Sequence, residues 1–333
     1  MTLPIMINSS VLHNNLTQES FTNSKVTVYT MWIITALIIV GFCFFFYYVT
    51  VMLNVFFLTP ELQQTARYVL FVCMLINDTS YLIVTFFMMF ASLYLLYVPV
   101  PLCYILYTVS AMTFRVTPYN LAAMAVEQYV AICYPLRHAQ LCTPQRAKAA
   151  FTIICLVLMI PYVAELCVMF SSFTNIFHLY IVCGLRSLIV NNFQNIIRSI
   201  DLILCFSSVG LVIIFTYVKI MLVALKASSQ SSSASKAGKT VLVHTFQFLL
   251  CLGSLVNTLT QAFSLQAAAP IHVTNFFIFT YVPRFLSPLI YGIRDDVLRK
   301  HFKKIVLNLI STRERLDTGS NIKTWRVSAK RRC

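Results

Sequence analysis

The sequence predicts an all-α membrane protein, a seven-transmembrane helix bundle with a short amphipathic eighth helix. Three observations predict it: long apolar runs, a shortage of charge, and a one-sided placement of Lys and Arg. Of the 333 residues, 59% are hydrophobic and only 11% are charged, whereas a soluble domain carries charge on about a quarter of its residues. The surplus apolar surface must face lipid. Crossing a hydrocarbon core of about 30 Å takes about 20 apolar residues in a helix. Runs of that kind lie at Val28–Leu53, Tyr68–Leu96, Leu102–Cys133, Ala147–Phe170, Ile200–Leu225, Val241–Phe263 and Phe276–Tyr291. The last is short unless it begins near Ile271.

Residues 1–27 form a polar arm ahead of the first span. Met1–Lys25 has no basic start followed by an apolar stretch, so no cleavable signal peptide is expected and the first span serves as its own insertion signal. Asn8 (in Asn8-Ser9-Ser10) and Asn15 (in Asn15-Leu16-Thr17) are glycosylation acceptors in this flexible segment. Asn77-Asp78-Thr79 has the same pattern but falls within the second span, where no modification is expected. Residues 28–293 form one membrane domain without an internal repeat.

Basic residues in short loops stay on the cytoplasmic side. The loop after the third span carries Arg137, Arg146 and Lys148, the loop after the fifth carries Lys226, Lys236 and Lys239, and a dense set runs from Arg294 to Arg332. The opposite loops are nearly bare, with Arg186 and Arg198 as the main exceptions. The arm is therefore expected outside and the basic tail inside. The net charge of +15 is mostly this asymmetry and suits a surface beside the lipid bilayer, with no nucleic acid as partner. Ser228–Ser235, six of whose eight residues are Ser, reads as a flexible linker between the fifth and sixth spans. Within 294–310, Val297, Leu298, Phe302, Ile305, Val306 and Leu309 recur at helical spacing between basic residues, the pattern of an amphipathic helix on the inner leaflet. Residues 311–333 are polar and basic and read as a disordered tail.

Met124-Ala-Val-Glu127-Gln128-Tyr129-Val130-Ala131-Ile132-Cys133-Tyr134-Pro135-Leu136-Arg137-His138 is similar to the segment around the Asp/Glu-Arg-Tyr motif of the odorant receptors, in the rhodopsin-like (class A) G-protein-coupled receptor class. Lys236-Ala237, Thr240 and His244 match positions at the start of the sixth span, and Leu75-Ile76-Asn77-Asp78 matches the second. Pro283-Arg284-Phe285-Leu286-Ser287-Pro288-Leu289-Ile290-Tyr291 resembles the Asn-Pro-x-x-Tyr segment of the seventh. Arg67-Tyr68-Val69-Leu70-Phe71 and Phe114-Arg115-Val116-Thr117-Pro118-Tyr119-Asn120-Leu121 look most like a fish and amphibian branch. The departures are Gln128 for the motif Arg, Ser287 for Asn, Leu158 for Trp in the fourth span, and Leu252 and Ser254 in the sixth.

The resemblance implies a receptor for a small organic odorant that signals through a heterotrimeric G protein of the olfactory, stimulatory type. It implies a disulfide between Cys103 and Cys183, and an activation apparatus at Asp78, Glu127, Gln128, Tyr129, Tyr217, His244, Arg284, Pro288 and Tyr291. Gln128 has two possible partners for its amide, Tyr217 and Tyr291, and Glu127 is expected to be met by Lys148 or by water. The ligand pocket is expected in the outer half of the bundle, lined by Tyr107, Ser110, Ala111, Phe114, Arg115, Leu255, Leu259, Phe277 and Tyr281; each is equally compatible with ordinary helix packing.

Ionisable side chains inside spans are costly and mark function or pair with each other. Asp78, Arg115, Glu165, Asp201 and Arg284 are of this kind. The resemblance implies that the second and seventh helices face each other at mid-depth, so Arg284, one turn before Pro288, is expected to meet Asp78, either as a static pair or as a switch. Arg115 and Glu165 are expected to pair, with direct recognition of an acidic ligand by Arg115 as the alternative.

No nucleophile and base pair, phosphate loop or metal-ligand spacing of the eleven cysteines is present in the sequence, so neither an enzyme nor a cofactor or metal site is expected. The span from Ile271 to Tyr291 contains no Lys to carry a retinal Schiff base. A rival reading is a receptor-like protein that binds a ligand or partner without activating a G protein, and Gln128 keeps it open.

Overall fold

A computed structural model describes residues 9–94, 96–172, 180–183, 192–226, 245–246, 248–250, 252–253 and 274–286. The described residues are helical almost throughout. In order come α1 (Ser9–Leu58), α2 (Pro60–Gln63), α3 (Ala66–Leu93), β1 (Tyr97–Pro99), α4 (Val100–Cys133), α5 (Pro135–Leu141), α6 (Pro144–Ser172), β2 (Tyr180–Val182) and α7 (Asn192–Lys226). A last helix, Phe276–Leu286, begins with a π-helical turn at Phe276–Tyr281. Prolines set several boundaries, because their missing N–H costs nothing in a first helical turn. Pro60, Pro101, Pro135 and Pro144 open α2, α4, α5 and α6 in this way.

Among the described residues, five helices are long and apolar enough to cross a membrane: Thr35–Leu58, Ala66–Ser92, Val100–Cys133, Pro144–Cys167 and Ile196–Val223. They correspond to the first five predicted spans. Most of the sixth span, the Ser-rich linker, the amphipathic helix and the tail lie outside the described residues, as do Asn8, His244, Leu255, Leu259, Pro288 and Tyr291. Apolar stripes cover the outside of the bundle. On α6, Ile153, Leu156, Ile160 and Val163 are exposed, and on α7 so are Ile203, Leu211, Ile214 and Val218. Exposed apolar surface of that extent is a lipid-facing surface.

Two expectations need correction. The arm before the first span is not flexible from Ser9 onward but continues α1, and Asn15 lies within that helix. Ser9 to Val28 contains neither Pro nor Gly, so a helix already nucleated in the apolar run extends into it without a break. Nor is the fold purely α. β1 and β2 form an antiparallel ribbon with Tyr97 opposite Val182 and Pro99 opposite Tyr180. Cys103, in the first turn of α4, is disulfide-bonded to Cys183, directly after β2, with 5.4 Å between their Cα atoms. The disulfide and the ribbon mark one end of the bundle, called the disulfide end below.

The centre of the molecule is α4, which packs against α3, α6 and α7. Its α3 side is joined by hydrogen bonds between buried groups. Asn77 Nδ2 donates to the Thr113 carbonyl (2.9 Å) and to Thr117 Oγ1 (3.0 Å), and Asn120 Nδ2 donates to the Leu70 carbonyl (2.8 Å). In a medium without water such bonds replace those a buried amide would otherwise lose.

Candidate functional site

Among the described residues, three polar clusters lie inside this apolar bundle, and α4 contributes to each. The deepest is built on a proline. Pro118 sits inside α4; having no N–H, it leaves the Phe114 carbonyl without its helical donor. Arg284 Nη2 reaches that carbonyl at 3.5 Å. Nη1 of the same side chain donates to Thr117 Oγ1 (2.5 Å) and forms an ion pair with Asp78 Oδ1, which also accepts from Thr117 Oγ1 at 2.6 Å. The guanidinium lies over the Tyr81 ring, 4.3 Å from its centroid. Charges this buried need both a counter-ion and hydrogen bonds, and here α3, α4 and the last helix supply them together. Asp78 and Arg284 thus meet as the resemblance implies; Thr117, which sequence reasoning did not single out, bonds both of them, and Asn77 donates to Thr117 in turn.

The second cluster corrects a pairing. Arg115 does not meet Glu165. Its Nη1 is 2.7 Å from Asp201 Oδ2 on α7 and donates to the Tyr162 hydroxyl, with the guanidinium 5.2 Å from the Tyr162 ring centroid. Glu165 instead receives a two-pronged bond from Arg198, Nε to Oε1 at 2.9 Å and Nη2 to Oε2 at 2.7 Å. The reason is a matter of depth. Tyr162 lies one turn before Glu165 on α6, is anchored by the Tyr104 hydroxyl donating to its carbonyl at 2.5 Å, and fills the α4–α6 interface at the level of Arg115. Glu165 is carried one turn nearer the disulfide, where Arg198 lies over the Tyr107 ring at 4.7 Å. Two ion pairs are therefore stacked between α4, α6 and α7. The available signal was the three-residue spacing of Arg198 and Asp201 on the stripe of α7 that continues through Cys205 and Val209.

Among the other pocket residues, Tyr107 and Phe114 are buried, while Ser110 and Ala111 are half-buried on α4. The Phe114 ring is 5.9 Å from that of Tyr81 and 6.1 Å from that of Phe206. Phe277 and Tyr281 lie elsewhere. They stack on each other with centroids 5.5 Å apart, and Tyr281 packs on Phe42 of α1 at 5.5 Å. Gly41 makes room for that ring, because a Cβ there would lie 2.6 Å from the Tyr281 hydroxyl. Gly41→Ala is expected to destabilise the protein by about 1–3 kcal/mol, the usual cost of overpacking. Adding Tyr281→Phe, which removes the nearest atom, should recover part of the loss. Thermal unfolding of the purified variants reads both.

The third cluster is at the opposite end of α4. Glu127 is met by His138 and not by Lys148: His138 Nε2 is 2.9 Å from Glu127 Oε1. Tyr134 and Pro135 end α4 and start α5, which turns back and brings His138 beside the carboxylate. Among the described residues, no hydrogen bond joins Gln128 to Tyr217, which is exposed. Tyr129 packs edge-on against Tyr134 (5.8 Å) and Phe215 (5.9 Å). Burial pushes the Cys142 thiol above its ordinary value; Glu127 adds to this and Arg146 opposes it.

A central helix fixed by buried polar bonds, a disulfide at its start and a Glu-Gln-Tyr at its far end agree with a family comparison. The model of the seven-transmembrane receptors of the rhodopsin family matches residues 50–291. The chain belongs to that family. Within it, the receptor is 32% identical over 248 residues to "Odorant receptor 131-2" of Danio rerio, a match covering 72% of this chain and 75% of that protein. It is 30% identical over 195 residues to human "Olfactory receptor 52A1" and 30% over 196 residues to human "Olfactory receptor 52A5". Those matches span only 62% and 61% of the human proteins. The receptor is therefore a multi-pass membrane protein of the odorant-receptor kind, and its family is one of receptors, not enzymes. Asp78, Arg115, Asp201 and Arg284 all fall inside the matched stretch.

Proposed function

We propose that the receptor is a seven-span odorant receptor of the plasma membrane, with its N-terminus and disulfide end outside. It binds a small organic ligand in the outer half of the bundle and activates a heterotrimeric G protein of the olfactory, stimulatory type. Residues 28–293 form the receptor domain, 1–27 a glycosylated extracellular segment, 294–310 an amphipathic helix on the inner leaflet and 311–333 a basic disordered tail. The observation that carries the pocket is the line of Tyr107, Ala111 and Arg115 down one side of α4, beneath the ribbon that Cys103 and Cys183 pin. Aromatic walls with a few polar groups suit small, sparingly soluble molecules. The basic loops at the Glu127 end support the orientation. Asp78, Arg284, Glu127, Gln128, Tyr129, Tyr217, His244, Pro288 and Tyr291 serve as the activation apparatus. An odorant screen reading cyclic AMP in cells that contain an olfactory-type G protein tests this function. Ligand binding without any signal would favour the rival, a receptor-like protein that does not activate G protein.

Gln128 supports that rival. A neutral amide contributes about 1 kcal/mol through a hydrogen bond, against about 1.5–3 kcal/mol when one partner is charged. Gln128→Arg is therefore expected to raise maximal agonist-driven signalling several-fold. Ligand affinity should change little, since Gln128 lies about 20 Å along α4 from Arg115. Equal signalling by the two forms at matched surface expression would show that Gln suffices.

A further inference from the structure

The carboxylates buried among the described helices are not equally closed off. Side-chain exposure is 1% for Asp78, 7% for Glu165 and 8% for Glu127, but 29% for Asp201. Asp201 stands on the inward stripe of α7, and the carboxylate oxygen that faces Arg115 is itself buried. Its stripe on α7 continues through the buried Cys205, Val209 and Ile213, whereas Ile203, Leu204 and Leu211 take the exposed face. Its partner Arg115 is only 6% exposed. One turn toward the disulfide, Arg198 and Glu165 close on each other through two parallel bonds, so the accessible charge in this stack is the Arg115–Asp201 pair.

Two guanidinium groups and two carboxylates leave the stack neutral. A molecule that inserts between Arg115 and Asp201 keeps it neutral, with each charge paired, only if it brings one charge of each sign. A simple acid would displace Asp201 from Arg115 and give it no cation. A simple amine would meet Asp201 and strand Arg115, the more buried of the two. Stranding one member of a buried pair is the expensive outcome. Taking this stack as part of the ligand site, as in the reading above, we propose that the ligand is a small zwitterion of the amino-acid type. Its carboxylate sits on Arg115, its ammonium faces Asp201, and its apolar substituent lies against Phe114 and Phe206, whose rings are 6.1 Å apart.

The test uses the full-length receptor in lipid nanodiscs with tritiated L-phenylalanine, L-leucine and L-methionine. Competitors are the matched molecules lacking one charge, such as 3-phenylpropanoate and phenethylamine. At least one amino acid is expected to bind, with its one-charge counterparts weaker by about 100-fold. Asp201→Asn should remove most of the advantage over the acid, and Arg115→Gln most of the advantage over the amine, with folded fraction checked by thermal unfolding. Failure of all three amino acids to bind, or equal binding of 3-phenylpropanoate, overturns the zwitterion. In that case a neutral odorant whose affinity still falls in both variants would leave the ligand-site reading standing. A bound odorant indifferent to both variants would overturn the site as well.

Discussion

Asp78→Asn and Arg284→Met are each expected to destabilise the receptor by about 3–5 kcal/mol, the usual result of removing one member of a buried ion pair. That is a large share of the 5–15 kcal/mol that holds a typical folded protein together. Most molecules of either variant should therefore be retained before reaching the cell surface. Asp78→Asn keeps the shape of the site and leaves the guanidinium without its counter-charge, while Arg284→Met strands the carboxylate. The neutral double variant removes both charges and should recover much of the loss. The exchange of charges, Asp78→Arg with Arg284→Asp, restores the ion pair but turns a carboxylate toward the Phe114 carbonyl that Arg284 now faces. It should recover less than the neutral double. Surface expression by flow cytometry and thermal unfolding in detergent read the series. If neither double variant exceeds the singles, the two charges are not coupled.

Loss of the disulfide should be of comparable size. Cys103 and Cys183 are 80 residues apart in sequence, and closing a loop of that order stabilises by about 4 kcal/mol in the chain-entropy account. Cys103→Ser and Cys183→Ser are each expected to lose that stabilisation and to free the β1–β2 ribbon from the start of α4. Because both remove the same bond, the double variant should be no worse than either single. Additive losses would mean that the two sulfurs act separately, and non-reducing mass spectrometry of the purified receptor would then find them as free thiols.

The parts of the fold that a sequence can state are those set by local composition. The first five spans were legible because lipid demands about 20 apolar residues per helix. Asp78 and Arg284 were legible because the resemblance sets the second and seventh helices face to face at the depth of both residues. Arg115 was not, since its partner depends on how three helices align in depth, and a shift of one turn exchanges Glu165 for Asp201. Tyr162 sets that alignment, and nothing in its own sequence context distinguishes it from a lipid-facing tyrosine. His138 was hidden for another reason. It reaches Glu127 only because α5 folds back after Pro135, a change of direction that apolar periodicity does not encode. The β1–β2 ribbon was missed because three-residue strands carry too little alternation to be read.

The Glu127–His138 contact changes what a movement of α4 must do. A carboxylate paired with the next residue of its own helix resists only the rotation of two side chains. Paired across the chain reversal, it couples the screw motion of α4 to α5, and α5 carries Leu136, 94% exposed. Any turn of α4 would therefore be passed through Glu127 and His138 to α5 and its uncovered leucine, as a spindle turns the pointer of a dial.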